Sequence, residues 1–99
     1  MQINESQDKS WYRAVHRAYL IMKERGYEVI RSMKGDSKFQ LVAFDETDII
    51  FVVVKICKAK RLPSYEKALE ELAKTRLPEN GEIQLWVYEG NRGFHYFNV

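Results

Sequence analysis

The chain has 99 residues, a net charge of +2, 45% hydrophobic residues and 30% charged residues, which suits one folded domain and excludes a disordered or fibrous chain. Its longest apolar run, residues 49–54, is far short of the roughly 20 residues a membrane helix needs, and a single cysteine excludes an internal disulfide. The opening MQINESQDKS is polar and has no apolar signal segment, so the expectation is a cytoplasmic protein, one domain over 1–99 with residues 1–9 as a flexible N-terminus.

In chain order, Ser10 is placed to cap a first helix. Trp11, Val15, Ala18, Tyr19 and Met22 follow at helical spacing, and Gly26 ends it. Residues 27–33 are rich in β-formers and read as a strand, KGDSK (34–38) as a turn, and 39–44 as a second strand. DETD (45–48) is a hairpin turn into a third strand over 49–57, apolar on both faces and so expected at the centre of a sheet covered on both sides. Pro63 and Ser64 start a second helix, whose stripe of Tyr65, Ala68, Leu69, Leu72 and Ala73 runs to about residue 75. Residues 83–88 and 94–99 are strands joined by the turn GNRG (90–93). The order α-β-β-β-α-β-β predicts an α/β fold with a mixed sheet. Three strands form an antiparallel meander, and a helical crossover brings the fourth in parallel to an earlier one.

Charge is segregated along the chain. Residues 49–65 contain no acid but hold Lys55, Lys58, Lys60 and Arg61; Lys34 and Lys38 precede them, and Arg13 and Arg17 lie on the first helix. Acids gather at Asp45, Glu46 and Asp48 and at Glu66, Glu70 and Glu71. Such a division suits a face that meets a polyanion; a plain solvated surface is the alternative.

Lys55 stands out because a lysine in a buried strand is costly unless it is paired or functional. By alternation it shares one face of the third strand with Phe51, Val53 and Cys57. Counting back through the DETD hairpin puts Gln40 across from the Val53 region, so Gln40, Val53 and Lys55 are expected to converge. The alternative is a lysine whose stem packs while its head reaches water.

GYEVIRSMKGDSKFQLVAFDETDIIFVVVK, then KAKRLPSYEKALEELAK, EIQLWVYEG and RGFHYF, resemble the restriction-endonuclease-like (PD-(D/E)xK) nucleases, and among them the small archaeal and viral Holliday-junction-resolvase-like proteins. The resemblance runs from about Trp11 to Val99. It implies a Mg²⁺ site in which one acid on the second strand and another two residues before the lysine hold the ion, while the lysine assists attack on a phosphate. Those acids fall on Gln40 and Val53, and the lysine on Lys55. Neither Gln40 nor Val53 is a carboxylate, so the resemblance implies a degenerate site in which Lys55 is a remnant.

The resulting expectation is a nucleic-acid-binding protein, DNA before RNA, without metal-dependent cleavage. Lys34, Lys38, Lys55, Lys58, Lys60 and Arg61 would meet the backbone, with no cofactor. One alternative is an active Mg²⁺-dependent endonuclease using a displaced acid (Asp36, Asp45 or Glu46). Another is a protein-interaction module or structural homodimer that kept only the fold. His16, His95 and Cys57 have no ligand spacing and read as structural. Trp86, Tyr88, Phe94, Tyr96 and Phe97 read as core or as a dimer surface, and Arg92 as part of a plain turn.

Overall fold

A computed structural model describes residues 9–32, 37–58 and 64–99. Helix α1 (Lys9–Glu24) is followed by strands β1 (Glu28–Arg31), β2 (Leu41–Phe44) and β3 (Ile49–Ile56), helix α2 (Glu66–Ala73), and strands β4 (Gly81–Tyr88) and β5 (Phe94–Asn98). The strands form one sheet in the order β1-β2-β3-β4-β5. β3 and β4 run parallel and every other neighbour is antiparallel, so the fold is the α/β mixed sheet expected from the sequence. Ser10 lies inside the first turn of α1, not at its cap. α2 begins two residues after Ser64, and Pro63 lies outside the described residues.

α1 covers one face of β1, β2 and β3. Its buried stripe is Trp11, Ala14, Val15, Ala18 and Met22, packed on Leu41, Ala43, Ile50, Val52, Val54 and Trp86. The Trp11 indole Nε1 donates to the Val54 carbonyl at 2.8 Å and fixes the start of the helix to the central strand. At the other end the Tyr27 N–H donates to the Met22 carbonyl and the Gly26 N–H to the Lys23 carbonyl. This pairing closes a helix through a left-handed residue, and Gly26 takes that position at φ 96°.

The opposite face is a second apolar cluster of Val53, Ile83, Leu85 and Val87 beneath Leu72 of α2, edged by Phe39, Phe51, Cys57, Tyr65 and Phe97. Adjacent residues of β3 thus feed different cores: Val52 and Val54 face α1, and Val53 faces α2. This explains the strand's unbroken apolar run. The carboxylate of Asp45 closes the β2–β3 turn by accepting the N–H groups of Thr47 at 2.9 Å and Asp48 at 2.8 Å. Those backbone bonds hold its pKa below the ordinary aspartate value of 3.8. Among the described residues, no helix is long and apolar enough to cross a membrane.

The terminal hairpin covers itself with aromatics. Trp86 is fully buried, with Tyr96 at 4.7 Å and Phe94 at 5.4 Å between ring centroids. The Arg25 guanidinium lies 5.3 Å from the Trp86 ring and 5.5 Å from Tyr96, extending the cover beyond the end of α1. Phe97 points to the other face and meets Tyr65.

Candidate nucleic-acid interface

Leu41 stands opposite Val52 in the β2–β3 register, which brings Gln40 to the Val53 region. Val53 is buried in the α2-side cluster. Lys55 is half-buried two residues further along β3, beside Val87 of β4. The side chain of Gln40, however, belongs to the sheet. Its Oε1 accepts the Val54 N–H at 2.7 Å, and its Nε2 donates to the Ser37 carbonyl at 2.8 Å. Its own N–H donates to the Val52 carbonyl and its carbonyl accepts from Ser32, both at 2.9 Å. Continued in register, residue 39 would face Val54; the Gln40 carboxamide supplies that bond instead. Gln40 is the buried polar residue among those described, and all its hydrogen-bonding groups are engaged, as burial requires.

The Mg²⁺ site implied by the resemblance does not fit these residues. The carbonyl oxygen of Gln40 is already held by an N–H, its nitrogen is a donor, and Val53 offers no ligand atom. Asp45 and Glu46 lie at the β2–β3 turn, before the start of β3. Lys55 lies six residue steps beyond Ile49 along β3, about 20 Å at 3.3 Å per residue, so neither acid reaches Lys55. Asp36, the third displaced acid, lies outside the described residues. Among the described residues, no three His, Cys, Asp or Glu side chains gather as a ligand set.

Of the cations expected to meet a phosphate backbone, Lys34, Lys60 and Arg61 lie outside the described residues. Lys38 is exposed; its Nζ bonds the Thr75 hydroxyl beside α2 and lies 5.7 Å from the Phe39 ring. Lys58 is exposed just past the end of β3, where it lines a cleft of about 520 Å³.

That cleft lies at the carboxyl ends of the parallel strands β3 and β4. Crevices outside the carboxyl ends of parallel strands are common ligand sites in open α/β sheets. Ile56, Lys58, Tyr88, Glu89 and Arg92 line it, with Ser10 of α1. A second lobe of about 580 Å³ adjoins it at Ser10 and Tyr88 and runs along α1 past Tyr12, Arg13, His16 and Arg17. The chain matches no protein-family model and no curated protein.

The two lobes together present Arg13, Arg17, Lys58 and Arg92. The one acid among the described lining residues is Glu89. Its side chain is only 8% exposed, and its carboxylate accepts from His95 Nε2 at 2.8 Å. No described carboxylate is within ion-pair distance of Arg13, Arg17 or Arg92. Arg17 is held in place: its Nη1 donates to the Tyr88 hydroxyl at 3.2 Å, and its guanidinium carbon lies 5.8 Å from the Tyr88 ring centroid. His16 Nδ1 sits 3.1 Å from Arg31 Nη1. Since arginine can only donate, that nitrogen is the acceptor and the ring proton sits on Nε2.

Arg92 projects from a 3₁₀ turn at Gly90–Arg92, so the GNRG turn also carries a cation into the cleft. Cys57 is half-buried among apolar neighbours, and His95 is tied to Glu89. The sequence marks Tyr88 only as core or dimer surface and assigns Tyr12 no role. A signal for Tyr12 existed: Tyr12/His16 and Arg13/Arg17 are two i,i+4 pairs beside the core stripe of α1. That this flank adjoins the end of β4 required the tertiary fold.

Proposed function

We propose that this chain is a cytoplasmic nucleic-acid-binding protein, DNA before RNA, and that it binds through the cleft at the carboxyl ends of β3 and β4. The observation that carries this reading is the gathering of Arg13, Arg17, Lys58 and Arg92 from three separate segments around two adjoining lobes that share Ser10 and Tyr88. Arg13, Arg17 and Arg92 have no described carboxylate within ion-pair distance, which favours a polyanion, and arginine suits phosphate because its planar fork bonds two oxygens at once. Lys38 and Lys55 supply charge on the α2 side, where a bound strand can extend. The commitment of Gln40 to the main chain, with Val53 in the core, supports binding without metal-dependent cleavage. A homodimer is compatible with this reading, and gel filtration tests it separately.

The test is fluorescence anisotropy of a labelled DNA oligonucleotide at increasing salt. About four phosphate contacts predict a loss of roughly 100-fold in affinity between 50 and 200 mM salt. Arg13→Ala with Arg92→Ala should lower the log–log slope by about two. Affinity indifferent to salt and to both substitutions would overturn the reading. A plasmid-nicking assay with Mg²⁺ or Mn²⁺ examines cleavage, and cutting above the buffer blank would contradict a binding-only role.

A further inference from the structure

The shape of the cleft and the rings in it bear on which form of nucleic acid it takes. We propose that the cleft holds an unstacked nucleotide of a single strand, with its base against Tyr12 and the Arg17–Tyr88 pair and its phosphates on Arg13, Lys58 and Arg92. The inference rests on the nucleic-acid reading above and goes beyond it by choosing single strand over duplex.

Three observations support the choice. The first is scale: each lobe is open to solvent and, at about 520 and 580 Å³, has a volume within the roughly 300–1,000 Å³ range of small-molecule clefts. A nucleotide freed from its stack can enter such a space, whereas a base held inside a duplex cannot leave it without unstacking. The second is the pair of flat surfaces. Tyr12 is 46% exposed, with its ring meeting buried Trp11 edge to face at 5.0 Å. Arg17 is fixed over Tyr88 by the hydroxyl bond at 3.2 Å and the ring at 5.8 Å. Bases of single strands stack on tyrosine rings and on guanidinium planes. The third is the placement of charge. Arg13 and Arg17 line the lobe along α1, Lys58 and Arg92 line the other, and Tyr88 lines both. Phosphates on either side of a bound base thus have cations to meet.

The experiment uses the full chain and two labelled probes of equal length: an oligothymidine strand about 10 nucleotides long, within the span of a small single-strand module, and a blunt duplex. The strand is expected to bind at least about tenfold tighter than the duplex. Tyr12→Ala should weaken strand binding about tenfold, Tyr12→Phe should restore it, and neither should change duplex affinity. Equal or tighter duplex binding overturns the single-strand proposal and leaves the nucleic-acid reading standing, as does a Tyr12→Ala variant that binds the strand normally. Binding of neither probe overturns both. If Tyr12→Ala fails to fold, the strand-to-duplex ratio of the unaltered chain still decides.

Discussion

The Gln40–Val53–Lys55 spot and the cleft at the ends of β3 and β4 both lie toward the carboxyl end of the central strand, and they use polar side chains in opposite ways. At the first, the polar group is buried and consumed: the Gln40 carboxamide bonds Val54 and Ser37 and continues a ladder that β2 leaves off. At the second, guanidinium groups stand at an open concavity without described carboxylate partners. A polar residue in a familiar sequence position is therefore no guide to function until its hydrogen bonds are accounted for. A group with every bond made stabilises, and a charge held in place without a counter-charge is available to a ligand.

This contrast can be broken from either side. Gln40→Ala strands the Val54 N–H and the Ser37 carbonyl and opens a small void. The expected loss is about 1–3 kcal/mol of stability by urea unfolding, with DNA affinity unchanged at temperatures where the variant stays folded. A variant as stable as the parent would show that the carboxamide is not needed by the sheet. Gln40→Glu sharpens the point. It keeps the length but sets a carboxylate oxygen against the Ser37 carbonyl. Burial and that carbonyl raise the folded pKa of the new acid, so the variant should regain stability as pH falls through it. A variant whose stability relative to the parent ignores pH would contradict this geometry.

The next effect is smaller. Trp11→Phe removes the indole bond to the Val54 carbonyl and should cost about 1 kcal/mol by the same measurement. Loss of this bond loosens the start of α1, which forms one wall of the cleft. Strand affinity is therefore expected to fall as well, in contrast to Gln40→Ala.

The smallest effect concerns the distant turn. The Asp45 pKa is lowered by bonds from the Thr47 and Asp48 N–H groups, so the stability it contributes is present above its unfolded value of 3.8 and is lost as pH falls through its lower folded value. Asp45→Asn should flatten the acid limb of the Tm–pH curve slightly and leave nucleic-acid binding untouched. An unchanged acid limb would show that the turn carboxylate carries none of the pH dependence.

Much of the fold was legible in the sequence because the local signals agree. The 3.6-residue stripe of α1, the stop at Gly26, the DETD turn and the alternation of β3 all point to elements that formed. The parallel placement of β4 followed from the length of the crossover. Element ends were less legible: Ser10 looks like a cap yet lies inside α1, and Phe39 and Gln40 look like strand yet precede β2. The site was read only in part. Lys58 stands out from its charge, but pairing it with Arg92 and the Arg13/Arg17 flank of α1 depends on contacts between distant parts of the chain, such as Arg17 with Tyr88, 71 residues apart. The role of Gln40 was hidden for a different reason: whether a carboxamide faces a ligand or a backbone N–H depends on where β2 stops, which spacing alone does not set.

The central claim is that the cleft takes the nucleic acid and the Lys55 spot does not govern it. The most direct test compares the affinity of a labelled single strand for two double variants, Arg13→Ala/Arg92→Ala and Lys38→Ala/Lys55→Ala, each checked for unaltered unfolding. The account predicts that the cleft variant loses at least about tenfold in affinity and about two units of salt slope, while the other loses no more than a few-fold. A loss concentrated in the Lys38→Ala/Lys55→Ala variant, with the cleft variant binding normally, would contradict it.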